Sequence, residues 1–335
     1  MRLGLIGLGR IGSFHADTLS ALSEVSSLVV TDAAPGVAAS TAERLGVEAV
    51  DTPARLFGAG IDGVVIAAAT DAHPGLLLAA AKAGLPAFCE KPLAGDVSEG
   101  LEVARRVAES GIPVHVGYPR RFDAGFVAAR DALVSGELGW VHTVRSTTHD
   151  PAPPPREYLE RSGGIFRDCS VHDFDAIRWA TGREVVSVYA TGSARGDDMF
   201  AELGDVANAA TILTLDDDSR ALVSNTRYNP RGYDVRLELH GTADSIAAGL
   251  EDRLPLRSAE PGVRFPAGAP HVFFMDRLAA AFRAELTAFT EVVAGKRPSP
   301  CTAEDALETG WVAEAATLSL AENRPVAVAE LRKSL

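Results

Sequence analysis

The chain of 335 residues is longer than one hydrophobic core usually organises, so two domains are expected. Hydrophobic residues make up 47% of it and charged residues 23%, a globular balance, and the lack of a long uncharged apolar run predicts that no segment spans a membrane. The net charge of −13 opposes binding to a phosphate backbone, so nucleic acid is excluded as an expected partner.

Cysteine usage and the first residues indicate the compartment. Cys89, Cys169 and Cys301 are odd in number and far apart, which favours reduced thiols over disulfides or metal ligands. The N-terminus enters a strand-like run at residues 3–6 and meets a glycine turn too early for a signal peptide. We therefore expect a cytoplasmic protein without a bound metal.

The first 120 residues predict an NAD-binding Rossmann domain. Short β-branched runs alternate with Ala- and Leu-rich helical stretches, which is typical of a doubly wound parallel sheet covered on both faces. One such helix is expected to end at Gly84, a C-terminal cap that precedes Pro86. The predicted strands are residues 3–6, 28–30, 64–66, 87–88 and 114–116.

Residues 121–335 predict an α+β domain for substrate binding and oligomerisation. Runs at 185–190, 209–215, 221–226 and 233–240 read as strands without intervening helices, which suggests antiparallel neighbours, and residues 216–219 have hairpin-loop chemistry. Two late helices are expected over residues 276–294 and 303–321. Thr302 and Asp305 are suited to cap the latter. The C-terminal helix is expected to pack back on the first domain.

A glycine motif, Gly7-Leu8-Gly9-Arg10-Ile11-Gly12, follows the opening strand and begins a helix. In this context Gly7 makes the tight turn, Gly9 admits a pyrophosphate and Gly12 lets the helix pack on the strand. Asp32 ends the second strand, where a carboxylate bonds ribose hydroxyls and repels a 2′-phosphate, so NAD is favoured over NADP. The alternative is a plain strand-to-helix turn with Asp32 capping a strand.

A lysine at the carboxyl end of the strand at residues 87–88 is the second chemical signal. Ligands bind at this edge of a doubly wound sheet. The ammonium of Lys91 can hydrogen-bond a substrate hydroxyl and stabilise a developing alkoxide. The alternative is a surface lysine paired with its neighbour Glu90.

Residues 163–175 read as a helix that carries the third signal. The i, i+4 spacing places Asp168 and His172 on one helical face, so the carboxylate can orient the imidazole or point beside it at one substrate. A histidine has an ordinary pKa of about 6.5, which suits it to accept a hydroxyl proton. A structural Asp-His pair is the alternative, and a metal pair is a further option for which no third ligand is evident.

Together these three signals make the sequence resemble the Gfo/Idh/MocA oxidoreductase family almost from end to end. The matching motifs are the glycine motif, Glu90-Lys91-Pro92 and the pair Asp168 and His172. The resemblance implies a Rossmann domain followed by an α+β domain with an open antiparallel sheet, whose face makes a dimer or tetramer contact. It implies Lys91, Asp168 and His172 as the catalytic group, in which His172 takes the hydroxyl proton while hydride goes to nicotinamide. The expected cofactor residues are Gly7, Gly9, Arg10, Ile11, Gly12, Asp32, Thr70, His73 and Glu90. Thr70 and His73 follow the fourth strand and are expected to line the cofactor cleft, and the alternative for His73, which precedes Pro74, is that it begins a helix.

Three further segments resemble the branch of the family that acts on inositol, namely residues 117–123, 148–155 and 232–234. They imply substrate contacts by Arg121, Asp150 and Tyr233, besides Lys91, Asp168 and His172. A structural ion pair for Arg121, a rigid surface loop at Asp150 and a half-buried aromatic at Tyr233 are the alternatives. The chain departs from the pattern at His149, where the pattern carries Arg, and at Phe282, where Tyr is expected.

The expected activity is therefore oxidation of a ring hydroxyl of a cyclitol or sugar, with myo-inositol oxidised to 2-keto-myo-inositol. One alternative is another dehydrogenase of the family, which acts on scyllo-inositol, glucose or an anhydrosugar. The other is a sensor that binds NAD and sugar without turnover.

Overall fold

The computed structural model describes residues 1–333, which divide into two compact units. The first consists of Met1–Tyr118 and Phe282–Glu308, and the second of Pro119–Ala281 and the chain from Thr309 onward. The first unit thus takes in a segment from the second half of the chain, which a division at residue 120 does not assign to it. No helix within residues 1–333 combines the length and the apolar character needed to cross a membrane.

Six parallel strands form the sheet of the first unit, in the order β3-β2-β1-β4-β5-β6. This order confirms the predicted doubly wound Rossmann fold. The strand β3 was not predicted, since it has only two residues and both are exposed. The elements are β1 (Arg2–Ile6), α1 (Arg10–Ser20), β2 (Ser27–Thr31), α2 (Val37–Leu45), β3 (Glu48–Ala49), α3 (Pro53–Phe57), β4 (Gly63–Ile66), α4 (His73–Ala83), β5 (Ala87–Glu90), α5 (Val97–Ser110) and β6 (Val114–Gly117).

The core of the first unit explains why a distant segment joins it. Leu5, Val65 and Phe88 of the sheet are completely buried in one cluster with Leu286 and Phe289 from the late segment. Burial of side chains of this size stabilises a fold by about 1.5–3 kcal/mol each, so the sheet face and the late helix are held together by a shared apolar core.

The second unit follows β6 and contains the remaining strands. Its elements, with the two late helices that cross the division, are α6 (Ala124–Val134), β7 (Val141–His149), α7 (Arg156–Ser162), α8 (Val171–Thr181), β8 (Val185–Ser193), α9 (Met199–Glu202), β9 (Asn208–Leu215), β10 (Arg220–Thr226), β11 (Asp234–Gly241), β12 (Ser245–Ala248), α10 (Phe274–Arg277), α11 (Ala279–Val293), α12 (Ala303–Glu322), β13 (Val326–Ala327) and α13 (Val328–Arg332).

Seven strands make up the sheet of the second unit, in the order β12-β11-β7-β10-β9-β8-β13. The predicted α+β class with a mainly antiparallel sheet is confirmed, because within residues 1–333 β7–β10 is the one parallel pair of this sheet. Two local expectations are wrong. The strands expected at 221–226 and 233–240 are not neighbours, because the unpredicted strand β7 separates β10 from β11. The strands are also not free of intervening helices, since the short helix α9 lies between β8 and β9.

Several predicted turns and caps are present. Gly84 ends α4 with a left-handed conformation at φ +66°. Asp218, in the hairpin between β9 and β10, also has a positive φ of 66°. At the start of α12 the amide of Thr302 donates to Asp305 at 3.0 Å, and the amide of Asp305 donates to the hydroxyl of Thr302 at 3.2 Å. This reciprocal pair is the capping box expected from the sequence.

Candidate active site

The glycine motif forms the turn between β1 and α1. Gly7 has φ +91°, and a Cβ there would lie 2.6 Å from the carbonyl oxygen of Ala67. A Cβ on Gly12 would lie 2.0 Å from the carbonyl oxygen of Gly7, whereas a Cβ on Gly9 would meet no atom within 4 Å. Gly7 therefore allows the tight turn, Gly12 allows the helix to pack closely on the turn, and Gly9 leaves the backbone open to a ligand. These are the features that a bound dinucleotide requires.

Asp32 connects the glycine turn to the end of β2. Its Oδ2 accepts a hydrogen bond from the amide of Leu8 at 2.6 Å, and its Oδ1 accepts from the amide of Ala34 at 2.7 Å. Each carboxylate oxygen has a second lone pair, so these bonds leave capacity for hydroxyl donors. Asp32 is thus placed where an adenosine ribose is held in a doubly wound fold, and the glycine turn and this carboxylate both fit NAD.

Glu90 and Lys91 lie at the carboxyl end of β5, and His73 follows the short turn after β4, all in the first unit. Glu90 ends β5, and its Oε1 lies 2.6 Å from Nε2 of the buried His15 in α1. His73 begins α4 and is almost fully buried, with Nδ1 2.7 Å from the carbonyl oxygen of Pro92. Lys91 is half-buried, and its two sequence neighbours, Glu90 and Pro92, are both held by these contacts. Thr70, in a short turn after β4, is also half-buried.

Asp168 and His172 lie in the second unit, but the helix that carries them is not a regular α-helix throughout. Phe166–Ser170 is a π-helical turn, and α8 begins only at Val171. The expectation of one regular α-helical face is therefore wrong in detail. Such π turns occur often at functional sites. Both Asp168 and His172 remain half-buried.

Arg227, which sequence reasoning missed, brings two predicted site residues together. Its Nη1 donates to Oδ2 of Asp150 at 2.7 Å, and its Nη2 donates to Oδ2 of Asp168 at 2.6 Å. The hydroxyl of Tyr158 donates to the other oxygen of Asp168 at 2.7 Å. The guanidinium follows β10 directly, and its position next to Asp150 depends on the pairing of β10 with β7. No local motif signals that pairing.

A buried polar network lies next to these residues. Oδ1 of Asp173 accepts from Nη1 of Arg120 at 2.8 Å, from Ser146 at 2.6 Å and from Thr148 at 2.9 Å. Asn225 donates to Oδ2 of the same carboxylate at 2.7 Å. A buried carboxylate that accepts from four donors in this way rigidifies its surroundings.

Arg121, a predicted substrate residue, is buried in a bidentate ion pair. Its Nε and Nη2 lie 3.0 and 2.7 Å from the two carboxylate oxygens of Asp175. This contact supports the structural alternative for Arg121, and a substrate contact stays a prediction.

Tyr233 and His149 lie near the start of β11 and the end of β7. Tyr233 is buried, and burial raises the pKa of its phenol above the ordinary range. Burial also lowers the pKa of His149 and outweighs the opposing charge of Asp234, whose carboxylate lies 3.9 Å away. Nε2 of His149 contacts the hydroxyl of Ser224 at 3.1 Å. The buried position of Tyr233 differs from the half-buried aromatic that was the alternative in the sequence analysis.

A doubly wound sheet with this glycine turn and an acidic residue after the second strand defines a dinucleotide-binding oxidoreductase fold. The oxidoreductase family with an NAD-binding Rossmann fold matches residues 1–118, and the GFO/IDH/MocA C-terminal domain matches residues 126–247. The chain therefore belongs to the Gfo/Idh/MocA oxidoreductase family, as its motifs suggested, and NAD is the cofactor of its Rossmann unit.

Relatives and solved structures cover nearly the whole chain. Inositol 2-dehydrogenase of Rhizobium meliloti is 36% identical over 329 residues, which cover 98% of this chain and 99% of that protein. The crystal structure of a myo-inositol dehydrogenase from Corynebacterium glutamicum has a TM-score of 0.90 at 32% identity, with 98% of each chain covered. That of scyllo-inositol dehydrogenase from Lactobacillus casei with NAD(H) and scyllo-inositol has a TM-score of 0.89 at 28% identity, and covers 98% of this chain and 99% of that one.

Proposed function

We propose that this protein is an NAD-dependent dehydrogenase that oxidises a ring hydroxyl of a cyclitol, with myo-inositol converted to 2-keto-myo-inositol. The observation that carries the proposal is the 36% identity to an inositol 2-dehydrogenase over nearly the full length of both chains. A chain that contains Lys91, Asp168 and His172 has a cation, a carboxylate and an imidazole for proton transfer at a hydroxyl.

In the proposed reaction the imidazole of His172 takes the proton of the substrate hydroxyl. The ammonium of Lys91 hydrogen-bonds the same oxygen and stabilises negative charge that develops on it. Asp168 accepts a hydrogen bond from the substrate and sets its position. Bound NAD⁺ supplies the hydride acceptor. Oxidation of the carbon would turn the substrate into a ketone, with the hydride taken up by the cofactor once bound and the hydroxyl proton held by His172.

Substrate hydroxyls away from the reacting carbon also need acceptors and donors. We assign Asp150 as an acceptor and the phenol of Tyr233 as a donor, since burial keeps that phenol protonated. Arg121 is proposed to act on the substrate indirectly, because its guanidinium is held in the buried ion pair with Asp175. Gly7, Gly9, Arg10, Ile11, Gly12, Asp32, Thr70, His73 and Glu90 form the proposed cofactor contacts.

We further infer a homotetramer that uses the open face of the second sheet. Strand pairing places Tyr189, Ile212, Leu222 and Arg145 in one row across four strands, and Ile212 and Leu222 are 45% and 39% exposed. Exposed apolar side chains in a row on a sheet face are typical of an interface. Light scattering on the purified chain tests this, and the double variant Ile212→Asp, Leu222→Asp is expected to lower the measured mass.

A cytoplasmic location is part of the proposal, and no nucleic-acid partner is proposed for a chain of net charge −13. Cys89, Cys169 and Cys301 carry buried thiols in the structure, which suits a reducing compartment. Cell fractionation with an antibody against the chain tests the location.

The function is tested by following NADH absorbance with myo-inositol, scyllo-inositol, glucose and an anhydrosugar. Highest kcat/KM with myo-inositol is the expected result, and no turnover with any cyclitol contradicts the proposal. A specific observation favours scyllo-inositol as the second candidate, namely the likeness to the Lactobacillus casei enzyme. The ratio of kcat/KM for the two cyclitols decides between them.

The proposed roles are tested by His172→Ala and Lys91→Ala. Loss of a general base or of an oxyanion partner lowers kcat by about 10²–10⁴-fold. The matched controls are His142→Ala and Lys82→Met, because both side chains are exposed and lie outside the proposed site. Unchanged kcat in both His172→Ala and Lys91→Ala would overturn the mechanism while leaving the family assignment intact.

A further inference from the structure

We propose that Arg227 is a positioning residue that holds Asp150 and Asp168 as one rigid, ionised pair of hydroxyl acceptors. The inference rests on the proposed function, since it assigns to these two carboxylates a shared task in holding a polyhydroxylated ring. In this proposal Arg227 contacts the two carboxylates but no reacting atom of the substrate.

The guanidinium contacts both carboxylates at once. Nη1 lies 2.7 Å from Oδ2 of Asp150 and Nη2 lies 2.6 Å from Oδ2 of Asp168. The side chain of Arg227 is only 4% exposed, while those of Asp150 and Asp168 are 17% and 9% exposed. The guanidinium is thus almost completely shielded from water, whereas both carboxylates are more exposed to water. This difference in exposure is expected of a buried cation that holds two carboxylates in position to face a ligand.

Strand register explains why these residues meet. The parallel strands β7 and β10 pair His149 with Thr226 at their carboxyl ends. Asp150 and Arg227 are the next residues along each strand, and the amide of Asp150 donates to the carbonyl of Thr226 at 2.9 Å. On the other side, the hydroxyl of Ser170 donates to Asn225 of β10 at 2.6 Å and ties the π turn with Asp168 to the same strand. Three backbone segments therefore converge on one guanidinium.

The surrounding charges favour an ionised pair. Burial opposes the charged form of Arg227, but the nearby acidic groups Asp168, Cys169 and Asp150 outweigh it, so its pKa lies above the ordinary value. Burial, followed by the charges of Asp150, Asp173 and Asp168, raises the pKa of the neighbouring Cys169 thiol against the opposing charge of Arg227. With several acids around one cation, removal of that cation would leave like charges in contact, which raises the pKa of at least one carboxyl group.

The shape of the guanidinium matters as much as its charge. An arginine presents several N–H donors in a planar fork, so it bonds two carboxylates in fixed directions, whereas a lysine ammonium acts as a point charge. Each carboxylate oxygen accepts two hydrogen bonds, so Asp150 and Asp168 can accept substrate hydroxyls while bound to Arg227. We therefore expect the charge and the geometry of Arg227 to be separable by substitution.

The experiment compares Arg227→Met and Arg227→Lys with the wild type in the full-length protein with saturating NAD. For Arg227→Met we expect kcat/KM for myo-inositol to fall about 100-fold, with KM raised and kcat lowered, because both acceptors lose their position. For Arg227→Lys we expect a fall of about tenfold, since charge is kept and the fork is lost. KM for NAD is expected to stay unchanged in both.

A matched control comes from the surface of the first unit. Arg105 also pairs with two carboxylates, Glu102 and Glu109, but its side chain is 55% exposed. Arg105→Met is therefore expected to leave kcat, KM and the pH profile unchanged, because exposed pairs contribute little.

The second readout is independent of turnover. Carboxyl ¹³C NMR of Asp-labelled protein, assigned with Asp150→Asn and Asp168→Asn, measures the two pKa values directly. We expect at least one of them to rise in Arg227→Met. If Arg227→Met does not fold, the tenfold fall in kcat/KM expected for Arg227→Lys decides.

Wild-type kinetics and pKa values in Arg227→Lys, or in a folded Arg227→Met, would overturn the positioning role. If the wild type oxidises no cyclitol but the carboxyl pKa values still shift, the proposed function fails and the Arg227 pairing stands. If the wild type turns over and neither the pKa values nor kcat/KM respond, the pairing role fails and the proposed function stands.

Discussion

The imidazole Nε2 of His15 lies 2.6 Å from Oε1 of Glu90, and the side chain of His15 is completely buried. His15 belongs to α1, the helix that begins at the glycine turn, and Glu90 is the last residue of β5, directly before Lys91. The pair therefore links the cofactor turn to the backbone that carries Lys91, within the first unit.

We predict that His15→Leu destabilises the protein and weakens the proposed reaction. The substitution leaves Glu90 without its buried partner, which costs about 1–3 kcal/mol in the free energy of unfolding. Urea unfolding measures this loss, and kcat is expected to fall about tenfold as Lys91 loses its support. The control is Arg55→Ala, whose pair with Asp51 is exposed and should change stability by less than about 0.5 kcal/mol. Wild-type stability in His15→Leu would show that the contact has no energetic role.

Asp32→Ala is expected to erode the preference for NAD over NADP. The carboxylate would lose its proposed ribose contact and its repulsion of a 2′-phosphate, so kcat/KM for NAD should fall about tenfold or more relative to that for NADP. Steady-state kinetics with both cofactors measure the ratio. Asp62→Ala is the matched control, because Asp62 accepts a hydrogen bond from the amide of Arg2 at 2.7 Å at the other end of β1. A ratio unchanged in Asp32→Ala would remove Asp32 from cofactor selection.

The Rossmann unit was predictable because its signals are local. Buried parallel strands read as short β-branched runs, and the glycine turn and Asp32 have fixed positions relative to them. The strand β7 gave no such signal, since its inward-facing Ser146 and Thr148 contact the carboxylate of Asp173 instead of an apolar core. Hydrophobic alternation cannot reveal a strand whose buried face is polar.

The second half of the site depends on non-local contacts. Arg227 contacts Asp150 only because β7 and β10 pair in parallel. The sequence of a strand does not indicate by itself which other strand it pairs with. The π turn at Asp168 is supported by Asp205, which accepts from the amide of Ile165 at 3.0 Å from 40 residues away. Motifs therefore identified Asp150 and Asp168, but not the residue that joins them.

Arg121→Met tests whether Arg121 is structural. Its loss removes a buried cation from the carboxylate of Asp175, which is expected to cost about 3–5 kcal/mol of stability. The double variant Arg121→Met, Asp175→Leu removes both charges and should regain most of that loss. Urea unfolding of the two variants measures the difference. If the double variant is stable yet has a much higher KM for myo-inositol, a direct substrate contact by Arg121 is supported instead.

His149 should make stability depend on pH in a defined direction. Burial lowers its pKa in the folded protein, against the opposing charges of Asp234, Asp173 and Asp150 and with the support of Arg236. The unfolded chain, with a His pKa of about 6.5, then binds the proton more readily, so stability is lost as pH falls through that value. Each unit of pKa depression costs about 1.4 kcal/mol once both forms are protonated.

His149→Gln removes this proton linkage, so the stability advantage of the wild type over the variant should shrink as the pH falls from about 7.5 towards 5. Urea unfolding at a series of pH values measures the difference. His142→Gln is the control, because His142 is exposed on the same strand and its substitution should leave the wild-type pH dependence unchanged. Parallel stability curves for the wild type and His149→Gln would mean that the fold binds the His149 proton as readily as the unfolded chain does.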